Sequence, residues 1–370
     1  MSRNKILDTL LLLPISKVFG LVVAVRNKMF DRGIILKQQK FDVPIISVGN
    51  IAVGGTGKTP HVEYILEALR DSYHMAVLSR GYKRKTKGFV MANSRTVPED
   101  IGDESFQLYA KYGAEADVAV CEKRVEGINR LMEINKNIDL IVLDDAFQHR
   151  YVKPSVSIVL TEYSHPAFND KMLPLGHLRE PLSSLQRADM LVVTKCPRNM
   201  QPMDYRLFKE RFGLSPWQQV FFSRYVYGHL VPVFPEEVQQ VPFLDWLTKK
   251  DSILVVTGVA HPRPFLRYLR TFKADVKVMC FPDHHSFTAN DLAMIKKKFA
   301  KMTGEHKILI TTEKDSVRLS HNPYFPHALK SRSFYIPISV EFVEQSDKPG
   351  FDYTLRKLLN QSKSTSAFLR

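Results

Sequence analysis

Residues 45–60 read Ile45-Ile46-Ser47-Val48-Gly49-Asn50-Ile51-Ala52-Val53-Gly54-Gly55-Thr56-Gly57-Lys58-Thr59-Pro60. The run predicts a buried β-strand, then a glycine-rich loop, then the first turn of a helix. Glycines let backbone amides curl around phosphate oxygens, and the helix N-terminus behind them adds its positive dipole end. A lysine at this point reaches the β- and γ-phosphates of a nucleotide, and a threonine hydroxyl can bind Mg²⁺. We therefore predict that residues 53–60 form a nucleotide phosphate-binding loop.

The loop departs from the usual spacing at one position. That spacing has a glycine at position 52, where this chain has Ala52, and we expect Gly54 and Gly55 to supply the turn instead. The apolar residues of the following run, residues 62–69, recur with the period of an amphipathic helix. The alternative is an ordinary strand–turn–helix connection, but the motif and its context together favour the phosphate-binding loop.

A second apolar run ends in two adjacent acids. Residues 138–145 form a predicted strand that finishes in Asp144 and Asp145. Proteins with a phosphate-binding loop use acids at such a strand end to hold Mg²⁺ or its water shell. Acids at strand ends are common, so the signal gains its value from the loop that precedes it. The two motifs together predict a Mg²⁺ site formed by Thr59, Asp144 and Asp145.

The composition indicates a large, basic protein from a reducing environment. The chain has 370 residues, of which 44% are hydrophobic, and this is enough for two packed domains. Its 53 basic and 38 acidic residues give a formal charge of +15. This charge predicts an anionic partner such as nucleic acid, acidic lipid headgroups or a phosphorylated substrate. The three cysteines are widely spaced and odd in number, which argues against a disulfide framework or a zinc site.

The first 37 residues differ from the rest of the chain in their pattern of apolar and basic residues. Apolar residues dominate up to Val25, but Asp8, Pro14 and Lys17 interrupt them, so the segment does not match a membrane-spanning helix. Basic residues punctuate and follow the apolar stretch, a pattern typical of a helix that lies in a membrane interface among anionic headgroups. The alternative is a helix that packs on the protein's own core.

Strands and helices alternate along the remaining sequence. The alternation predicts an α/β fold of P-loop NTPase type, with a doubly wound, mostly parallel sheet and a second, smaller α/β domain. We predict an N-terminal membrane-associated helical segment over residues 1–37 and a P-loop domain over 38–217. A β-ribbon hinge is predicted over 218–233, where the hydrophobic pattern alternates, and a C-terminal α/β domain over 234–370.

Ordered blocks across most of the chain resemble one known family. The blocks are Ser47-Val48-Gly49-Asn50, Gly54-Gly55-Thr56-Gly57-Lys58-Thr59-Pro60, Leu78-Ser79-Arg80-Gly81-Tyr82, Gly102-Asp103-Glu104, Leu143-Asp144-Asp145-Ala146-Phe147-Gln148-His149, Leu178-Arg179-Glu180-Pro181, Arg187-Ala188-Asp189, Phe281-Pro282-Asp283-His284-His285 and Thr311-Thr312-Glu313-Lys314-Asp315. In this order they resemble the tetraacyldisaccharide 4'-kinases, also called lipid A 4'-kinases. Two departures, Lys83 and Ala146, stand where glycine is common in the family.

The resemblance implies an activity, its cofactors and its place in the cell. It implies ATP- and Mg²⁺-dependent phosphorylation of the 4'-hydroxyl of a tetraacyl disaccharide 1-phosphate, a step of lipid A biosynthesis. The substrate is lipid-linked, so the expected location is the cytoplasmic face of the bacterial inner membrane, with peripheral or monotopic attachment to an anionic surface. We expect no nucleic-acid partner, and no obligate protein partner is evident.

The resemblance also implies roles for individual residues. An Asp–His pair serves catalysis in the family, and the matching positions are Asp103 and His284. Because His284 belongs to the predicted second domain, we expect the site to be complete only when the two domains close. The positions that match substrate-binding residues are Arg80, Arg124, Gln148 and Arg179. The residues expected to support these groups are Glu104, Glu180 and Lys314, with plain structural ion pairing as the alternative.

Three other functions compete with this interpretation. A switch-like GTPase or ATPase would carry a base-recognition motif such as Asn-Lys-x-Asp, and the nearest run, Thr194-Lys195-Cys196-Pro197, lacks both the Asn and the Asp. A nucleic-acid-binding ATPase would interleave stacking aromatics with its cations, and the basic run at residues 80–87 contains only Tyr82. A non-enzymatic module for membrane surfaces would leave the Gly57-Lys58-Thr59 and Asp144-Asp145 motifs unexplained.

Overall fold

The computed structural model of the chain describes residues 3–33, 35–343 and 349–368. Side chains are described over residues 11–33, 35–343 and 349–362. The basic residues Arg3 and Lys5 of the predicted membrane segment therefore lie outside the described side chains.

Short strands with strongly apolar sequences form two sheets. In chain order they are β1 (Ile45–Asn50), β2 (Met75–Ser79), β3 (Val90–Met91), β4 (Ala116–Val120), β5 (Leu140–Asp144), β6 (Val156–Glu162), β7 (Met190–Thr194), β8 (Gln219–Tyr227), β9 (Val231–Pro232), β10 (Ser252–Thr257), β11 (Asp275–Cys280), β12 (Lys307–Thr312), β13 (Ser333–Ile336) and β14 (Ile338–Phe342).

Helices connect most of these strands. In chain order they are α1 (Arg3–Arg32), α2 (Lys58–Leu69), α3 (Pro98–Ile101), α4 (Asp103–Tyr112), α5 (Arg124–Ile134), α6 (Pro202–Phe212), α7 (Arg263–Leu269), α8 (Ala289–Ala300), α9 (Glu313–Ser320), α10 (His327–Lys330) and α11 (Phe351–Phe368).

The larger sheet has nine strands in the order β14-β8-β7-β6-β1-β5-β2-β4-β3. Every pairing in it is parallel except those of β14 with β8 and of β3 with β4. Strands β1, β2, β5 and β7 are buried along their whole length, as expected for a parallel sheet covered by helices on both faces. The predicted doubly wound, mostly parallel α/β fold is confirmed. The carboxyl ends of β1, β5 and β2 lie side by side, where ligands of such sheets bind.

The smaller sheet has five strands in the order β11-β10-β12-β13-β9. Its strands are parallel apart from β9, and they pack with α8 around Leu254, Val256, Leu292, Ile295 and Leu309. This is the predicted second, smaller α/β unit.

Strand membership differs from the predicted domain division in two places. Strand β8 lies in the predicted hinge but is a parallel neighbour of β7 in the larger sheet. Strand β14 lies in the predicted C-terminal domain but pairs with β8, and Phe351, Leu355 and Leu359 of α11 pack in the core of the larger sheet. The chain therefore returns to its first sheet after building the second. The boundaries of the domains themselves stay a prediction.

Helix α1 packs on the larger unit along one side. Ser16 and Phe30 are buried, and the Ser16 hydroxyl donates a hydrogen bond of 2.8 Å to the carbonyl of Met172. Arg26 donates to the carbonyl of Gln148 at 2.7 Å. A second side of the helix exposes large apolar side chains, namely Leu11, Ile15, Val18, Leu21, Val22 and Val25, and Leu13 is exposed outside that side. Among the described residues, no helix combines the length and the apolar content needed to cross a membrane.

A buried charge cluster joins the two units. The ammonium of Lys111 on α4 lies 2.5 Å from the carboxylate of Glu63 on α2 and 3.1 Å from that of Glu313 on α9. Gln107 adds a hydrogen bond of 2.7 Å to Glu63. Glu63 and Glu313 are both buried, so one lysine, itself reached by water, pairs with two buried carboxylates.

Candidate active site

The glycine-rich loop after β1 has the backbone of a phosphate-binding loop. Gly54 and Gly57 adopt φ angles of 118° and 92°, which L side chains rarely adopt. A side chain at position 57 would also collide with the hydroxyl of Tyr225, so only glycine fits there. The space around Gly54 and Gly55 is open, as a cradle for phosphate oxygens requires. Lys58 begins α2 directly behind the loop.

Buried polar residues hold this loop in place by hydrogen bonds. Asn50 donates from its amide to the Thr56 hydroxyl at 2.8 Å, and Thr194 donates to the Thr56 carbonyl at 2.8 Å. His61 makes two further hydrogen bonds that the sequence did not reveal. Its Nδ1 lies 2.7 Å from the carbonyl of Gly57, and its Nε2 lies 2.8 Å from the hydroxyl of Ser223 on β8.

The tautomer of His61 follows from these partners. A carbonyl can only accept, so Nδ1 carries the proton and Nε2 accepts from the Ser223 hydroxyl. Burial lowers the pKa of His61 to about 4, against the smaller opposing effect of the Gly57 carbonyl. The ring is therefore neutral at physiological pH and fixes the first turn of α2 to the neighbouring strand.

The two acids at the end of β5 lie beside the loop in different environments. Asp145, with a φ of 47°, places its carboxylate 3.6 Å from the ammonium of Lys58 and 3.1 Å from the guanidinium of Arg179. Asp144 is 3% exposed, and its Oδ1 has no hydrogen-bond partner among the described residues. Burial, with the charges of Glu104 and Asp145, raises the pKa of Asp144 to about 7.

These observations fit a bound divalent cation. An orphaned carboxylate oxygen in a buried acidic pocket is compensated when a metal ion binds it, and hard cations prefer carboxylate and hydroxyl oxygens. Within the described residues, no group of three or more His, Cys, Asp or Glu residues could hold a metal ion without further ligands. A cation here would therefore rely on few protein ligands, as Mg²⁺ does when it shares its shell with phosphates and water.

A cavity of about 410 Å³ opens next to the acids. All four predicted substrate-binding residues line it, as do Glu104, Asp144 and Asp145. Arg80 is exposed, whereas Arg124 is 2% exposed and donates to the carbonyls of Cys121 and Asp144. Arg124 therefore also fixes the end of β5.

Gln148 and Arg179 likewise have structural partners. Gln148 donates from its side chain to the carbonyl of Asn50 at 2.6 Å, and Arg179 contacts the side-chain oxygen of Asn50 as well as Asp145. His149, which ends one of the sequence blocks quoted above, lines the same cavity, although no role was assigned to it from the sequence. Burial and the nearby charge of Arg124 lower the pKa of His149 to about 4, so the ring is neutral beside the arginines.

The structure brings together Asp103 and His284, the predicted catalytic pair. Asp103 begins α4, and His284 lies in the loop after β11, with its Nδ1 3.4 Å from the Asp103 carboxylate. Tyr82 packs edge-on against the His284 ring at 5.5 Å between centroids. Both Tyr82 and Glu104, the neighbour of Asp103, line the cavity, so the pair stands at its rim.

The three supporting residues have separate environments. Lys314 lies 3.3 Å from the carboxylate of Glu104 and 2.9 Å from Nε2 of His284. Lys314 and Glu104 therefore both belong to the rim of the cavity. Glu180 is 1% exposed and forms an ion pair with Arg187 and a hydrogen bond of 3.2 Å with Asn27 of α1. Its contacts match the structural ion pairing that was the alternative for this residue.

The fold and the site define a nucleotide-binding protein of the phosphate-binding-loop class. A family model described as tetraacyldisaccharide-1-P 4'-kinase matches residues 9–360. The chain belongs to this tetraacyldisaccharide-1-P 4'-kinase family, and the resemblance drawn from its sequence blocks is confirmed.

Individual relatives agree with the family assignment. A tetraacyldisaccharide 4'-kinase of Bacteroides thetaiotaomicron is 46% identical over 346 residues, covering 91% of this chain and 90% of the relative. One of Phocaeicola vulgatus is 44% identical over 339 residues, covering 91% and 92%. Among solved structures, the "apo" form of LpxK from Aquifex aeolicus in complex with ATP superposes with a TM-score of 0.70 at 28% identity. It covers 95% of this chain and 98% of that one.

Proposed function

We propose that this chain transfers the γ-phosphoryl group of ATP to the 4'-hydroxyl of a tetraacyl disaccharide 1-phosphate, a lipid A precursor. The observation that carries the proposal is one continuous arrangement. A glycine cradle with Lys58 stands next to Asp144 and Asp145, and the cavity beside them is also lined by Tyr82 and Glu104, which adjoin the Asp103–His284 pair. A kinase needs these parts on opposite sides of the phosphoryl group that moves.

The loop residues bind and orient the nucleotide. The amides of residues 54–59 and the N-terminus of α2 present donors and positive potential to the phosphates. Lys58 supplies a positive charge, and its ammonium lies 3.6 Å from the carboxylate of Asp145. The relative of known structure carries ATP, and this supports ATP as the phosphoryl donor.

Mg²⁺ is the cation that this acidic pocket would take. The residues that would hold it are Thr59, Asp144 and Asp145, and its chemistry is to neutralise charge on the phosphate oxygens. The unpartnered Oδ1 of Asp144 is the feature that supports this assignment.

The Asp103–His284 pair would handle the proton of the attacking hydroxyl. Asp103 accepts the proton as the oxygen attacks the γ-phosphorus, while His284 holds the carboxylate in place. The arginines and Gln148 around the cavity suit a disaccharide that carries its own phosphate. The two units already touch at this pair, so closure around substrate would tighten an existing contact.

The exposed apolar side of α1 supports action at a membrane surface. We propose peripheral or monotopic attachment at the cytoplasmic face of the bacterial inner membrane, with anionic headgroups as the partner of the basic residues. The helix would lie with Val18, Leu21 and Val22 in the acyl region. No nucleic acid is needed to explain the net charge on this basis.

A phosphate-transfer assay tests the proposal. Purified protein is incubated with γ-labelled ATP, Mg²⁺ and a panel of acylated disaccharides, and label is expected in the tetraacyl disaccharide 1-phosphate. Lys58→Ala and Asp144→Ala should each reduce transfer by at least about 100-fold. The exposed Lys249 provides the matched control, and Lys249→Ala should transfer label normally.

Two results would contradict the proposal. Near-normal transfer by Lys58→Ala would refute the nucleotide assignment. Hydrolysis of ATP at the same rate with and without every lipid in the panel would instead favour a switch-like ATPase.

A further inference from the structure

Arg318 on α9 contacts both members of the predicted catalytic pair. Its Nε and Nη2 atoms lie 2.9 and 2.5 Å from Oδ2 of Asp103, and Nη2 lies 3.1 Å from Nδ1 of His284. The Arg318 side chain is 9% exposed, so its charge is largely withdrawn from water. No motif in the sequence singles this residue out.

The buried carboxylate of Asp315 fixes the orientation of the Arg318 guanidinium. Nη1 of Arg318 lies 3.2 Å from Oδ1 of Asp315, one turn earlier on the same helix. Asp315 is fully buried, and its other oxygen accepts from the amide of Gly258 at 2.9 Å and from the hydroxyl of Thr312 at 2.7 Å. Arg318 is therefore held by the second unit in the orientation that reaches Asp103 in the first.

The positions of the protons around His284 follow from its neighbours. Lys314 has three donors and no acceptor, and its ammonium lies 2.9 Å from Nε2 of His284, so Nε2 must accept. A ring proton is then on Nδ1, where it points to Oδ2 of Asp103. Because Nδ1 is already a donor, the close approach of Arg318 to it is a contact between two donors that share one carboxylate oxygen.

Donors from His284 and Arg318 thus converge on one oxygen of Asp103. Within the described residues, the other oxygen, Oδ1, has no hydrogen bond. The two oxygens of this carboxylate are therefore different: Oδ2 is anchored and Oδ1 is left to accept a hydrogen bond from something else.

We propose that Arg318 is a positioning residue for phosphoryl transfer, which occupies Oδ2 of Asp103 so that Oδ1 accepts the proton of the substrate hydroxyl. The inference rests on the proposed function. In the step, the proton of the hydroxyl moves to Oδ1 as the sugar oxygen forms its bond to the γ-phosphorus. The bond between that phosphorus and the β–γ bridging oxygen breaks, and ADP leaves with the electron pair.

The charges around Asp103 agree with this role. Burial alone would raise its pKa, but the hydrogen bonds from His284 and Arg318 and the charge of Arg318 lower the pKa to about 2. The other charged groups at this place are Glu104 on α4, Asp283 beside His284, and Lys314 and Asp315 on α9. The carboxylate is thus ionised and ready to accept throughout the physiological range.

Three variants test the proposal, each with kcat, the KM for ATP and a thermal unfolding midpoint. Arg318→Ala removes the guanidinium, and Arg318→Lys keeps the charge but loses the two-pronged contact with Oδ2. Arg332→Ala is the matched control, because Arg332 is an exposed arginine in the same unit. We expect kcat to fall by about 10- to 100-fold in Arg318→Ala and less in Arg318→Lys, with KM for ATP within about twofold.

Two further readouts separate positioning from a merely structural role. Millimolar guanidinium chloride, far below denaturing concentrations, should restore part of kcat in Arg318→Ala but none in Asp103→Asn. Without the guanidinium, less opposes the effect of burial, so the pKa of Asp103 should rise in the variants. Their kcat/KM should therefore fall with decreasing pH already above about pH 4, whereas that of the parent protein should not.

Several outcomes would overturn the inference. They are an unchanged kcat in either variant, a loss confined to the KM for ATP, and a folded Arg318→Ala protein that guanidinium does not rescue and whose pH profile matches the parent. If Arg318→Ala does not fold, Arg318→Lys decides through its kcat and pH profile. Failure of the parent and Arg332→Ala to label any lipid would refute the proposed function, whereas labelling at equal rates by Arg318→Lys and the parent would refute only the role of Arg318.

Discussion

The Nδ1 of His284 lies 3.4 Å from Oδ2 of Asp103, although 181 positions separate the two residues. One residue begins a helix of the larger unit, and the other belongs to a loop of the smaller one. An acid and an imidazole that meet across a boundary between units depend on that boundary being well packed.

This contact predicts that the two residues act as one functional group. Asp103→Ala and His284→Ala should each reduce kcat by about 100-fold or more, and the double variant should be little worse than the worse single variant. Single-turnover measurement of phosphate transfer gives the three values. A double variant whose loss equals the product of the two single losses would mean that the residues act independently.

His61 predicts an effect on nucleotide binding through the loop backbone. His61→Ala removes the hydrogen bonds to Gly57 and Ser223, each worth about 1 kcal/mol, so affinity for ATP should fall by up to roughly 30-fold. Calorimetric titration with ATP measures the change, and the exposed His74 gives the control variant His74→Ala. Equal affinities in the two variants would show that the loop holds its shape without His61.

The buried cluster around Lys111 predicts a stability that depends on pH. Burial, followed by the charge of Glu313, raises the pKa of Glu63 from its ordinary value of 4.5 to about 7. Between these values the folded protein holds a proton that the unfolded chain has released, so the free energy of unfolding falls as pH rises from about 5 to 7. In Glu63→Gln, the decrease in the free energy of unfolding between pH 5 and 7 should be smaller by roughly 1 to 3 kcal/mol.

Unfolding midpoints at several pH values test the Glu63 prediction. The control is Glu133→Gln, which changes a carboxylate that is 59% exposed and should leave the pH dependence as it is in the parent protein. Glu63→Gln retains a charge-balanced Lys111–Glu313 pair, so the variant is expected to fold. Identical slopes in Glu63→Gln and the parent would show that Glu63 is ionised in the folded state.

The exposed side of α1 predicts that the protein binds to anionic membranes through this helix. Val18, Leu21 and Val22 are each more than 60% exposed, and together they offer several kcal/mol of transfer free energy to a bilayer. The triple variant Val18→Glu/Leu21→Glu/Val22→Glu should lose sedimentation with anionic vesicles and keep its affinity for ATP. Met294→Glu on α8, which changes another exposed apolar residue, is the control. Vesicle binding that survives the triple change would place the attachment surface elsewhere.

Local motifs allowed much of the site to be predicted from the sequence. The glycines and Lys58 act within a few consecutive residues, and the acids at the end of β5 follow directly from an apolar run. The reason is that a phosphate cradle is made of neighbouring amides, so its signal is contiguous. The identity of Asp103 and His284 came from a resemblance, because nothing in the spacing of these two residues relates them to each other.

Residues whose partners are distant in sequence escaped prediction. Arg318 meets Asp103 across 215 positions, and His61 meets Ser223 across 162. A histidine after a P-loop and an arginine on a short helix have no pattern that distinguishes them from surface residues. Strand β14 was assigned to the second unit for a related reason, because a five-residue strand does not encode which sheet it joins.

Helix α1 touches Gln148, and Gln148 in turn touches Asn50 at the end of β1, so two hydrogen bonds separate the first helix from the root of the nucleotide loop. If helix α1 binds a lipid surface, a change in its tilt would reach Asn50 through these two hydrogen bonds. We would then expect the transfer rate in micelles, bicelles and vesicles to depend on how each assembly seats helix α1, as well as on how it delivers the lipid substrate.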